Sequence, residues 1–319
     1  MVDQVVKRAL LRSPMAWIVL AIGVLHAVGL NWGLPNIDGW DDDGVAPRDF
    51  LVGLSQTYTP GQYYTYPPVH LLILAVVTSP ITLVTLGKAS SFAPDELVRT
   101  FLNPWTMTWF ALLARVVTWV MSLGIVLALG QLAERVWGRI AGLATAVAVG
   151  LNATFCYYSH TSNLDVPYCF WACCSLLQWV RAMADHEPRR MRWAAVFAAL
   201  AVGTKDQAYA LFLLGIPLAL ALWLWTDGWA RKESRQVFRE VGVSLLIGAV
   251  SLLVLDGAVF NPTGFRARIA FLLGTASQDH AYYSKDVLGR WRLLVDSVMA
   301  FDRYYPWPVG GLVLGGLGA

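Results

Sequence analysis

Long apolar runs separated by short charged segments are the feature that most constrains this chain. They fall at roughly 15–34, 67–87, 106–131, 140–159, 165–183, 192–205, 207–226, 240–260 and 305–319. A bilayer core about 30 Å thick needs about 20 apolar residues per helical crossing, and most of these runs approach that length. Only 14% of the residues are charged and 57% are hydrophobic, whereas a soluble domain carries about 25% charge. We therefore expect an all-α, polytopic helical membrane protein. The net charge of +3 is small and sits in short loops, so no stripe for nucleic acid is expected. Many of the tryptophans lie near run ends, as interfacial anchors do. Cys156, Cys169, Cys173 and Cys174 lie in or beside apolar runs and read as small packing residues. The first run follows Lys7, Arg8 and Arg12 but has no small-residue cleavage site, so it reads as a retained helix. The last run is still open at Ala319, and we expect the N-terminal part of a longer protein.

The positive charges set an expected topology. Arg135 and Arg139 lie in one loop, Arg181, Arg189, Arg190 and Arg192 in the next, and Arg231, Lys232, Arg235 and Arg239 in a third. All three, with the N-terminal cluster, should be cytoplasmic. Three apolar runs lie between the N-terminus and Arg135, an odd number that would put one cluster on the wrong side. One run must then fail to cross. The candidate is 67–87, which opens on Pro67-Pro68 and holds Pro80; it reads as a helix lying at the outer surface or re-entrant. Residues 35–105 then form one long first external loop, and 261–304 a later one.

The external segments carry the unusual residues. The first holds Trp40-Asp41-Asp42-Asp43-Gly44, whose adjacent carboxylates need a cation, a basic substrate or solvent. Tyr58, Tyr63, Tyr64 and Tyr66 follow, an aromatic patch suited to sugar rings or headgroups. The turn at His160 leads to Asp165 and Pro167, where Asp165 is also placed to cap the next helix. Arg115 sits about ten residues into an apolar run, a position that is costly unless it is functional or snorkels to headgroups. Lys205 and Asp206 end a run only about 21 Å long, so this turn is expected below the outer surface, in a wet cavity or as a Lys–Asp pair closing a hairpin. Arg115 and Lys205 are candidates to hold a lipid phosphate while a carboxylate activates a nucleophile.

Several of these residues recur in one order: the acidic run, Tyr66-Pro67-Pro68, Ala114-Arg115-Val116, the Tyr-Ser-His turn leading to Leu164-Asp165, and Gly203-Thr204-Lys205. The order resembles the GT-C glycosyltransferases of the protein O-mannosyltransferase and aminoarabinose-transferase-like branch, over about 15–260. The resemblance implies a single GT-C transmembrane domain over 1–319, with juxtamembrane helices in 35–105. It implies inverting transfer from a polyprenyl-phosphate sugar to a protein, lipid or glycan acceptor, in an inner membrane, with the site on the external face. Asp42 aligns with the catalytic aspartate, Asp41 is the alternative register, and Asp43 stands where the family has Glu. Tyr66 replaces the basic residue usual before Pro-Pro. Tyr66, His160, Asp165 and Asp206 are the further substrate-binding candidates. No cofactor is required by this pattern, although Asp42, Asp43 and Asp165 are oxygen ligands suited to Mg²⁺ or Mn²⁺. Two other classes compete: a transporter or lipid flippase, against which stand the lack of an internal repeat and the charges gathered at one face, and a non-catalytic scaffold of the same fold.

Overall fold

The computed structural model describes residues 13–34, 49–213, 215–226, 231–273, 283–284 and 286–305. Among these residues there is no β-strand. The helices run α1 (Pro14–Ala27), α2 (Asp49–Tyr58), α3 (Val69–Lys88), α4 (Pro94–Phe101), α5 (Pro104–Trp137), α6 (Arg139–Gly150), α7 (Ala153–Ser159), α8 (Asp165–Ala184) and α9 (Arg190–Val202). A 3-10 turn (Asp206–Ala208) precedes α10 (Tyr209–Leu213), α11 (Gly215–Thr226), α12 (Arg231–Leu255), α13 (Pro262–Leu273), α14 (Val287–Met299) and α15 (Phe301–Tyr304).

The organising element is α5. Asn103 caps it by accepting from the Trp105 amide, Pro104 sits in its first turn, and Gly138 ends it with φ +88. Its 34 residues make about 51 Å of helix, longer than a bilayer core. Against it pack α1, α3, α6 and α8, while α9 packs between α8 and α12. The buried surfaces are mostly alanine, valine, leucine and aromatic side chains, with serine and threonine hydroxyls bonded back to their own helices, as Thr118 is to the Ala114 carbonyl.

By length and composition, α3, α5 and the 235–255 stretch of α12 are long and apolar enough to cross a membrane. Four expected runs differ in detail. The first helix stops at Ala27, because Gly29 and Gly33 adopt positive φ and turn the chain. The 140–159 run is bent by 67° between α6 and α7, where the Asn152 side chain accepts from the Phe155 amide and starts a new helix. The 207–226 run is divided into the 3-10 turn, α10 and α11. The 240–260 run stops at Leu255, beyond which Gly257 has φ +71. The later segment 261–304 contains α13, α14 and α15 where only a loop was expected, because its sequence lacks a run of spanning length.

Charges gather at two ends of the packed helices. At one, Arg135 pairs with Asp185, Arg181 donates to Gln131 at 3.0 Å, and Arg192 holds Glu240 by two bonds of 2.6 and 2.9 Å. The three arginine-bearing loops thus meet, as their shared charge predicted. The other end carries the site. Helix α3 packs along the first part of α5: Leu71 and Leu74 share a cluster with Phe110 and Ala114, Thr85 lies 3.4 Å from Thr106, and the Lys88 ammonium stands 3.9 Å from the Trp105 ring.

Candidate active site

Helix α5 carries Arg115 three turns from its start, with only 2% of its surface exposed. Its Nη1 donates to the carbonyls of Leu30 at 2.9 Å and Trp32 at 2.7 Å, fastening the turn that follows α1. Ala114 and Leu164 are buried in one cluster with Phe50, Leu71, Leu74 and Phe110. Ala114 and Leu164 immediately precede Arg115 and Asp165 in the chain.

Asp165 is the first residue of α8, and the residue in the cap position is Leu164, which makes no side-chain cap bond. The Asp165 carboxylate does not cap its helix. It accepts from Lys205 Nζ at 2.5 Å, and its own amide donates to Asn163 Oδ1 at 2.6 Å. Lys205 has an extended backbone between α9 and the 3-10 turn, with its ammonium 5.9 Å from the Tyr168 ring. Both partners of this pair are partly accessible, at 22% for the Lys205 side chain and 35% for Asp165.

The turn before Lys205 is held by α3. The Val69 amide donates to the Gly203 carbonyl at 2.8 Å. A Cβ on Gly203 would stand 2.7 Å from the Val69 side chain and 3.5 Å from Asp256 Oδ1. Only glycine permits this approach, which fixes the Pro67-Pro68 corner against the lysine-bearing turn.

The Lys–Asp hairpin pair expected at 205–206 is not formed. Asp206 instead pairs with Arg268 of α13, a side chain 2% exposed. Arg268 also donates to the carbonyl of Thr65, and to that of Tyr64 at 3.4 Å, with its guanidinium 5.1 Å from the Tyr64 ring. Further bonds clasp the segment around 255–264 to 56–65. Tyr58 donates to the Leu255 carbonyl at 2.9 Å and Tyr64 to the Asp256 carbonyl at 2.5 Å. Buried Asn261 donates to the carbonyls of Gln56 and Gln62, at 3.1 and 2.8 Å, and accepts from the amides of Gly61 and Gly264, at 2.9 and 3.0 Å.

Asp256 lies behind this clasp, 4% exposed, and its Oδ1 has no hydrogen-bond partner. Burial pushes its carboxyl up to about 7; Arg268 opposes the shift and Asp206 adds to it. Burial, with the Asp256 charge, also raises the Tyr64 phenol.

The other expected residues are placed less centrally. Tyr66 is 45% exposed. His160 packs edge-on to Tyr157 at 6.1 Å, beside Gly29. Asp41, Asp42 and Asp43 lie outside the described residues. Among the described residues no three His, Cys, Asp or Glu side chains stand together to hold a metal, and Asp165 has an ammonium as its partner. Arg268 and Asp256 were missed by sequence reasoning. Arg268 offered only an Arg-Ala-Arg spacing in a segment without a spanning run, and Asp256 a lone acid after one.

Helical architecture, spans of membrane length and ionisable side chains drawn to one end of the packing define a polytopic membrane protein with a polar site at its margin. A family described as dolichyl-phosphate-mannose-protein mannosyltransferase matches residues 98–255, which include Arg115, Asp165, Lys205 and Asp206. This match places the chain in the protein mannosyltransferase family of GT-C membrane glycosyltransferases. No curated protein and no solved structure matches the chain.

Proposed function

We propose that the protein transfers a sugar from a polyprenyl-phosphate donor to an acceptor hydroxyl or amine, with inversion, at a site formed by Arg115 together with the paired Asp165 and Lys205. The observation that carries this reading is the convergence of α5, α8 and α9 within the matched region. It carries an ammonium, partly accessible and charge-balanced by one carboxylate, at the start of α8, and buries the residues preceding Arg115 and Asp165 in one cluster. In the reaction a base removes the acceptor proton and the acceptor attacks the anomeric carbon. The bond from that carbon to the phosphate oxygen breaks, and the lipid phosphate leaves with its electron pair. Lys205 supplies a point charge to the leaving phosphate. Arg115 supplies positive potential and fixes the Leu30 to Trp32 turn that leads into the acidic segment. Asp42 is the proposed base, with Asp41 the alternative register and Asp43 an orienting acid; if a divalent ion takes part, Asp42, Asp43 and Asp165 are its candidate ligands. Tyr66 and His160 stand at the border of the site for acceptor or sugar.

In this reading 35–105 lies on the external side, and α3 stays at that surface. In support, its N-terminus meets the Gly203 turn, and its last residue, Lys88, stands beside Trp105 at the start of α5.

The test is transfer of radiolabelled sugar from purified polyprenyl-phosphate sugars in nanodiscs, against a panel of acceptors. Asp42→Asn keeps the side-chain size and removes the base, so the rate is expected to fall about 10²–10⁴-fold while donor binding persists. Full activity in both Asp42→Asn and Asp41→Asn would remove the mechanism.

A further inference from the structure

Every residue of α14 is exposed except Gly289. Its start is well made: the Asp286 carboxylate accepts from the Gly289 amide at 2.7 Å and from the Ser284 hydroxyl at 2.7 Å. A helix of 13 residues is nevertheless marginal in water when its own bonds are its chief support. Its two sides differ sharply. At about 100° per residue, Leu288, Trp291, Leu294, Val295, Val298 and Met299 fall on one stripe about 140° wide, and each keeps 38–74% of its surface exposed. Arg290 and Arg292 stand just outside the two edges of that stripe, and Asp296 and Ser297 lie on the opposite side. The opposite side meets polar groups of the protein itself. Tyr283 donates to Asp296 at 2.9 Å, and Asp296 and Ser297 line a polar hollow with Tyr283, Arg303 and Tyr304. The apolar stripe is left open to the surroundings, and a continuous stripe of this kind marks a surface that something covers.

We propose that α14 is an interfacial helix, its apolar stripe laid into the surface of the bilayer and Arg290 and Arg292 reaching lipid phosphate groups on either side. The composition fits that occupant. A tryptophan at the centre of the stripe suits the boundary between headgroups and acyl chains. Arginine stems cover apolar surface while their guanidinia reach outward to phosphate. The placement fits as well. Helix α15, which follows α14 directly, packs against α7, and α7 leads through the His160 turn into α8. The 20 residues of α8 run about 30 Å, one bilayer core, from that turn to the arginine loops. The end of α14 is therefore tethered at the membrane surface opposite those loops. Its own length, about 20 Å, is too short to cross. A protein groove would have to set an acid at each edge of the stripe to receive the two guanidinia, whereas phospholipid offers phosphates all round.

The test uses the full chain, one copy per phosphatidylcholine nanodisc, in a background lacking the four native cysteines. An NBD fluorophore is attached through Val295→Cys on the stripe or Ser297→Cys on the opposite side, and the lipid acyl chains carry bromine either near the headgroup or near the bilayer centre. The label at 295 is expected to be quenched about threefold more than that at 297, and more by shallow than by deep bromine. Equal, weak quenching at both positions would show the stripe in water. Blue-shifted emission at 295 without quenching would show that protein covers it. Stronger quenching by deep bromine would show a helix inside the bilayer core. Each of these three results overturns the proposal. Arg290→Glu combined with Arg292→Glu should lower quenching at 295 about twofold, because carboxylates are repelled by the phosphates. Both arginines are exposed, so the thermal midpoint should stay as it was, and unchanged quenching in that variant overturns their assignment to phosphate.

Discussion

The two charged ends of this molecule use the same residue types for different physical ends. At the end of Arg135, Arg181 and Arg192, the arginines reach across loops to Asp185, Gln131 and Glu240. Arg135 and Asp185 keep 44% and 23% of their side chains exposed, whereas Arg192, 38% exposed, reaches a Glu240 that is 1% exposed. An accessible pair such as Arg135 with Asp185 contributes about 0–1 kcal/mol and sets orientation more than stability. At the other end Arg115 and Arg268 are nearly inaccessible, and both donate to backbone carbonyls as well as organising other segments. Burying a cation costs several kcal/mol unless every donor is used, so such residues persist where their position matters. At this second end the pair of Lys205 with Asp165 stays partly accessible, at 22% and 35%; in the proposed function an incoming anion exchanges with that carboxylate.

The sharpest way to break that contrast is to remove one cation from each end. Lys205→Ala is expected to lower sugar transfer about 10²-fold, the scale of losing one donor to developing charge, with donor binding weakened as well. Arg135→Gln should leave transfer within about twofold, the scale of an exposed pair. Equal losses in the transfer assay would show that the two ends do not differ in function.

A second experiment tests which side the reactive end faces. A cysteine at Ser90, just beyond α3, should react with an impermeant thiol reagent from outside intact cells, in a background lacking the four native cysteines. Labelling only after permeabilisation would mean that α3 crosses the membrane and would reverse the orientation of Arg115.

The smallest effect expected is on stability. The folded carboxyl of Asp256 is held up to about 7 against an ordinary value of 3.8. The folded protein therefore binds this proton more tightly than the unfolded chain, and deprotonation opposes folding. This contribution is neutral below pH about 4 and grows less favourable as pH rises toward about 7. Thermal midpoints should accordingly fall across that interval more steeply in the unaltered protein than in Asp256→Asn. Identical slopes would show that the Asp256 proton is not linked to folding.

The helical membrane class was legible from run length and charge scarcity alone, because a bilayer accepts few backbone solutions. The meeting of the three arginine loops was legible too, since like-charged loops must emerge on one side. Arg115, Asp165 and Lys205 stood out as ionisable groups at the margins of apolar runs. Their partners did not. The sequence places Lys205 beside Asp206, yet the pairs formed are Lys205 with Asp165 and Asp206 with Arg268, across 40 and 62 positions. Which carboxylate faces which cation depends on how α8, α9 and α13 pack, and apolar periodicity carries no information about that. The breaks in the runs after Ala27, Gly150 and Leu255 were likewise written in local glycine and asparagine signals too short to outweigh the hydropathy around them. The sequence by itself determined that charge must gather at the helix ends, because the bilayer excludes it elsewhere. Only the tertiary structure decided which of those charges pair with which, because that choice is made by contacts between segments far apart in the chain.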